Sequence, residues 1–351
     1  MPLSRIAHVI GLILVLLALS PNAQSATRPV MVGYFPAFKG LDARLATTPI
    51  DHYTHINIAF ANPDNSGALV RDGKMACMSG GSDGNVTVGA LRDAASRLRA
   101  KGAKVLLSVA GGVIPQCSGN WAALLGPGKR DAVQAALLAI VDAARLDGID
   151  IDIEGELLTK IDRQRDYTPF VAALSAALHT RGKLLTVATA SYEGGMIPVA
   201  SIPYFDLVMP MSYDAIGSSW GQPGTEHSTK AQAARDVALW LARGVRPERL
   251  VLGVPFYGYG FGSYAPGNGF AELLAAHGKA ALAGDVIGKA CAGCDYITFN
   301  APDTIRRKSE LARARAGGVM VWEMTQDTPD QLLGSTIAQV LFRRAQRSRI
   351  D

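Results

Sequence analysis

Short apolar runs recur along the chain, separated by amphipathic stretches. Eight runs have strand length and strand composition: Pro29–Tyr34, His55–Ala61, Lys104–Ala110, Gly148–Glu154, Leu184–Thr189, Leu207–Ser212, Leu250–Pro255 and Gly318–Met324. Between many of them apolar residues return at helical spacing, over Val88–Lys101, Arg130–Arg145, Gln164–Thr180, Thr229–Arg243 and Pro302–Arg315. Pro302 suits a first helical position, and Gly317 suits a stop. Strands and helices alternating in this number predict an α/β fold, a (β/α)8 TIM barrel. An open doubly wound sheet usually has fewer strands, and no glycine-rich phosphate loop follows the first strand here. The connection from Tyr257 to Gly317 exceeds an ordinary crossover, so about 258–317 is expected to form a small insertion between strands seven and eight.

The fourth run carries the chemistry. Leu146-Asp147-Gly148-Ile149-Asp150-Ile151-Asp152-Ile153-Glu154 places Asp150, Asp152 and Glu154 on one face of a strand and three isoleucines on the other. Its flanks are apolar, which makes the strand central. Carboxyl groups on a central strand are costly unless they are used, so the pattern predicts a catalytic or metal site. No histidine accompanies the acids to complete a metal set, and none is assigned. Neighbouring carboxyls on one strand face cannot all ionise at neutral pH, so one should keep its proton and serve as a general acid. In a barrel, Glu154 would stand at the catalytic, C-terminal end. Asp147 falls at the opposite parity and is expected to be structural.

Arg5, the apolar run Val9–Leu19 and the small residues Ala23, Ser25 and Ala26 have the form of a secretory signal peptide over 1–26, leaving 27–351 as the mature chain. The expectation is therefore a secreted protein, periplasmic or extracellular, with no stable membrane association. The formal charge of +5 is too mild to indicate nucleic acid. Export permits disulfides among Cys77, Cys117, Cys291 and Cys294. Cys291 and Cys294 could close a tight loop, which would leave Cys77 with Cys117; zinc is the alternative for the close pair, without a second such pair or a histidine pair to complete it.

The segment Asp147-x-x-Asp150-x-Asp152-x-Glu154 resembles the DxxDxDxE signature of glycoside hydrolase family 18, the chitinases and related endo-N-acetylglucosaminidases. Met211-Ser212-Tyr213-Asp214 resembles that family's MxYD segment, and Gly318–Trp322 its last strand. Gly33-Tyr34-Phe35, Asn57–Phe60, Lys104–Gly112 and Leu252–Gly258 resemble strands one, two, three and seven, so the likeness runs along nearly the whole mature chain. It implies a hydrolase of β-1,4-linked N-acetylglucosamine polymers, with no cofactor, acting by retaining, substrate-assisted catalysis. It implies Glu154 as acid and then base, and Asp152 as the group that orients the sugar's acetamido arm. Tyr213 would be a hydrogen-bond donor to that arm. Asp150, beside Tyr34 and Ser108, would hold the proton that moves when Asp152 turns. Trp322 would floor the sugar site, with Asp214, Tyr34, Phe60, Ser108 and Met211 also binding substrate. The expected partner is an N-acetylglucosamine-containing glycan and the expected state a monomer. N-glycans or peptidoglycan are alternative substrates that the signature does not separate. A non-catalytic chitin-binding lectin is another alternative, although such relatives commonly lose the final acid, which is present here. Departures from the family pattern include Ile153 for an aromatic residue, Gly155-Glu156 for Tyr-Pro, and Tyr259 for an arginine. Glu156 and Glu323 are read as solvent-facing or supporting groups without a role. The insertion looks short, which suggests a shallow groove and endo cleavage.

Overall fold

The computed structural model describes residues 28–343. The expected signal peptide over 1–26 lies outside the described residues. Eight parallel strands form one sheet: β1 (Val30–Pro36), β2 (His55–Ala61), β3 (Lys104–Ala110), β4 (Gly148–Asp152), β5 (Leu184–Thr189), β6 (Leu207–Pro210), β7 (Val251–Pro255) and β8 (Gly318–Trp322). Hydrogen-bonded order runs β7-β8-β1-β2-β3-β4-β5-β6. A parallel bridge between Val208 and Leu250 joins the two ends and closes the ring. Helices lie between successive strands, so the fold is a (β/α)8 barrel.

The two faces of each strand see different cores. Ile149, Ile151 and Ile153 join Val141, Leu137 and Phe170 in the layer between strands and helices. Each such side chain contributes about 1.5–3 kcal/mol by leaving water. A smaller cluster fills the barrel itself, with Val32, Tyr34, Met209, Tyr213, Val251 and Met320. The acids of β4 point into this interior. Local signals set the helix ends. Thr87 accepts from Ala90 N at 3.0 Å to cap Val88–Ala100, Thr229 accepts from Gln232 N at 3.0 Å to cap Lys230–Ala242, and Pro302 opens Pro302–Arg315.

Three differences from the sequence reading matter. β4 ends at Asp152 rather than Glu154, because the chain turns there into a helix, Gly155–Arg163, that the periodicity did not reveal. The predicted helix from Gln164 begins instead at Tyr167, after a turn in which Arg165 has φ +63°. Between β2 and β3 the chain builds a three-stranded antiparallel sheet, Val70–Arg71, Lys74–Ser79 and Asn85–Thr87, which no pattern announced. After β7 a four-stranded antiparallel sheet forms from Asn268–Gly269, Tyr257–Phe261, Tyr296–Thr298 and Val286–Gly288, with the helix Phe270–His277 following its shortest strand. Disulfides join Cys77 to Cys117 and Cys291 to Cys294. No helix among the described residues is long and apolar enough to cross a membrane.

Asp147 holds the entrance to β4. Its Oδ2 accepts from Val105 N at 2.8 Å and faces Arg99 Nε at 3.3 Å. Asp147→Ala is expected to cost about 1–3 kcal/mol, through one unpaired backbone N–H and one released arginine, and to leave turnover unchanged. Chemical denaturation beside an activity assay checks both.

Candidate active site

The strand ends build the site in layers. Deepest is Asp150, wholly buried and in register with Ser108 on β3 and Thr186 on β5. Tyr34 Oη and Ser108 Oγ each donate to its Oδ2 at 2.7 Å, and Thr186 Oγ1 donates to Oδ1 at 2.6 Å. Burial pushes the Asp150 carboxyl above its ordinary pKa, while these hydroxyls and Asn57 pull it back.

One alternation higher lies Asp152, 3% exposed. Its Oδ1 is buried and has no partner among the described residues. Glu154 stands just past the end of β4, as the residue before the helix Gly155–Arg163. A Cβ on Gly112 would come within 3.0 Å of Glu154 Oε1, so the bare glycine makes room for the acid. Asp152 and Glu154 lie within hydrogen-bonding reach of one another. Burial and then the Glu154 charge hold Asp152 well above the usual carboxylate range. Burial pushes Glu154 up to about 7; the Asp152 hydrogen bond opposes this and the Asp214 charge adds to it. Two carboxyls this close share a proton around neutral pH, and it belongs to the pair.

Aromatic groups surround the acids. Trp322, at the end of β8, stacks on Phe60 at 5.5 Å between centroids and 21° between planes, and meets Tyr34 edge-on at 5.5 Å. The Tyr213 hydroxyl approaches only the Met320 sulfur, at 3.9 Å, among the described residues. The hydroxyl donates to that sulfur, a weak acceptor that a stronger one in the cavity can displace. Asp214 adopts φ +60° and receives the Tyr257 hydroxyl; its Oδ1 lies 3.5 Å from His227 Nδ1.

These groups open into a cavity of about 530 Å³. Tyr34, Phe60, Asp152, Glu154, Met211, Tyr213, Asp214 and Trp322 line it. Asp150 and Ser108 do not line it; they lie in the buried layer beneath. Glu154, Met211, Tyr213 and Asp214 also line a second hollow, flanked by the exposed Tyr192 and Trp220. The cleft thus continues past Glu154 on that side.

The sequence reading missed one wall of the cleft. Phe38, Asn62, Ser79, Asn85 and Val113 line it, with the Cys77–Cys117 disulfide. They come from loops and from the small sheet before β3. The cysteine pairing was the one signal available, since it ties that sheet to the loop after β3. His227, 0% exposed and beside Asp214, was also missed. Glu323 is 2% exposed and not solvent-facing. It accepts from Lys39 Nζ at 2.6 Å and from Thr325 N at 2.7 Å, linking the end of β8 to the loop after β1. Glu156 faces a separate open hollow on the helix Gly155–Arg163.

A layered set of carboxyls at the C-terminal mouth of a (β/α)8 barrel, above a tryptophan floor, is the arrangement of a glycoside hydrolase. The sequence model for glycosyl hydrolases family 18 matches residues 30–327, and the chain belongs to that family. Its fold is similar to that of a family 18 chitinase from the chitin utilization locus of Flavobacterium johnsoniae, with TM-score 0.75 and 31% identity over 90% of this chain and 94% of that one. A family 18 chitinase from Cycas revoluta, solved with (GlcNAc)3, shares the fold at TM-score 0.72 and 22% identity, covering 89% of this chain and 99% of that one. Among sequence relatives, a chitinase-like effector of Moniliophthora roreri is 25% identical over 276 residues, 72% of this chain. "Probable chitinase 10" of Drosophila melanogaster is 25% identical over 296 residues, 70% of this chain. The match spans 64% of the fungal protein and 13% of the fly protein.

Proposed function

We propose that this enzyme hydrolyses β-1,4 bonds of N-acetylglucosamine polymers, chitin or its oligosaccharides, with retention of configuration. The observation that carries the reading is that Asp152 and Glu154 face one sugar-sized cavity together, with one buried Asp152 oxygen unpartnered among the described residues. A sugar with its ring over Trp322 would place its glycosidic oxygen toward Glu154. Glu154 protonates that oxygen as the bond breaks. The sugar's own 2-acetamido oxygen attacks the anomeric carbon, closing an oxazolinium ring. Asp152 accepts the acetamido N–H with its free oxygen, and its negative charge steadies the cation. The Tyr213 hydroxyl donates to the acetamido oxygen. Water, deprotonated by Glu154, then opens the ring from the face the leaving group left. Asp150 holds the charge and proton balance under Asp152, while Asp214, Phe60 and Met211 shape the bound sugar's surroundings.

The groove's continuation past Glu154 supports endo cleavage. Two disulfides and the N-terminal pattern support secretion, and nothing in the charge distribution favours a nucleic-acid partner.

The test is product analysis on defined N-acetylglucosamine oligomers with anomer detection. Retained β products support the reading; inverted products, or none, overturn it. The pH profile adds a second check. Glu154 must carry its proton to act as acid, and its pKa is raised to about 7. kcat/KM is therefore expected to fall about tenfold per pH unit above that value, and to fall again on the acid side as Asp152, itself raised by burial and the Glu154 charge, takes up a proton. A constant rate through pH 9 would remove Glu154 from the acid role.

A further inference from the structure

Lys308 is wholly buried on the helix Pro302–Arg315, and no step above uses it. Its Nζ donates to Ser228 O at 2.8 Å, Ser228 Oγ at 2.6 Å and Asn300 Oδ1 at 2.7 Å. All three donors are spent on neutral oxygens rather than on a carboxylate. Asn300 Nδ2 reinforces the same carbonyl, reaching Ser228 O at 2.7 Å. Ser228 Oγ in turn donates to Ser212 O at 2.7 Å.

Ser212 and Ser228 are the two ends of one excursion of the chain. Between them lie Tyr213, Asp214, Trp220 and His227, which form a wall of the cleft or back it. A second tie crosses the same neck, from Ala215 N to His227 O at 3.0 Å. We propose that Lys308 is a positioning residue whose ammonium holds the Ser228 end of the 213–227 loop directly and its Ser212 end through Ser228 Oγ, and so fixes Tyr213 and Asp214 beside Glu154. The proposal rests on the functional reading given above.

The chemistry favours this over a packing role. A methionine or leucine would fill the volume without desolvating a charge. What an apolar side chain cannot do is gather oxygens from two separate segments. Burial pulls the amine down to about 7, and Asp285, Asp236 and Glu226 oppose that pull. The protein therefore bears a desolvation cost at a site whose visible result is loop placement.

The experiment uses the full chain with Lys308→Met, and Ser228→Ala as a second variant should the first not fold. Turnover of 4-nitrophenyl N,N′-diacetylchitobioside is measured beside amide exchange. The expected result is a kcat about 10- to 100-fold lower with KM within about threefold, as small misplacements of acting groups produce. Amides of 213–227 should exchange at least about tenfold faster while those of β1–β5 stay as in the parent. Asp147→Ala, destabilised elsewhere, should keep the parental kcat. Unchanged exchange in the loop, or faster exchange spread evenly over the barrel with kcat retained, overturns the proposal. Should the parent enzyme cleave no such substrate, the functional reading falls, and the exchange measurement still decides the pin.

Discussion

Glu154→Gln should lower kcat by about 10²- to 10⁴-fold, the range that a positioned acid–base group supplies, and change KM by no more than a few fold. Glutamine keeps the length and planarity of the side chain but can neither deliver a proton to the glycosidic oxygen nor take one from water. The fold should not suffer. Glu154 precedes its helix without a side-chain cap, and the one partner its carboxyl has among the described residues is Asp152. The variant should even gain stability, and the pH window follows from the direction of the shift. The folded-state pKa of Glu154 is raised from 4.5 to about 7. Its contribution to stability is thus intact below 4.5 and is lost as pH rises to and through about 7. Relative to the parent, glutamine should be neutral below pH 4.5 and stabilising above about 7. Thermal melts across pH with parallel turnover check both halves. A variant that keeps parental turnover would require another acid.

Asp152→Asn should be the second most damaging change, at about 10²- to 10³-fold in kcat, the loss typical of removing one preorganised stabiliser of developing charge. The substitution preserves shape, so it isolates two electrical effects. It removes the negative charge that, in the proposed mechanism, faces the oxazolinium cation. It also replaces part of an acceptor-only group with an N–H₂ that cannot receive the acetamido hydrogen. Affinity for a stable oxazoline mimic should fall in step with kcat/KM, because both report the same charged ring. If mimic affinity holds while turnover drops, Asp152 acts only on Glu154 and not on the sugar.

The legible and illegible parts of this molecule divide along a physical line. The β4 acids were readable because alternation on a strand assigns faces without knowledge of the neighbours: Ile149, Ile151 and Ile153 went outward and the acids inward, as found. The parity of Asp147 likewise separated it from Asp150, Asp152 and Glu154, and it accepts from a neighbouring strand's N–H. The wall before β3 was unreadable because two of its strands hold only two or three residues, too few for any period to register. Tyr257–Phe261 hid for a different reason. Its glycines argue against a strand, yet they are required: a Cβ at Gly258 would lie 2.3 Å from Thr298 O, and one at Gly260 2.1 Å from Ala265 O. Lys308 was invisible as a functional candidate. A lone lysine in a helical pattern reads as surface, and only three-dimensional closure shows the oxygens it gathers.

The hydroxyl shell of Asp150 draws on three separate strands, Tyr34 from β1, Ser108 from β3 and Thr186 from β5. The innermost acid is consequently a fastener, whereas the outermost one has only its neighbour Asp152 as a partner among the described residues. A descendant drifting from cutting sugars toward merely holding them could shed Glu154 at little harm to its architecture. Shedding Asp150 would slacken three staves together. The order in which such a lineage sheds its carboxyls is therefore set by what each one holds up.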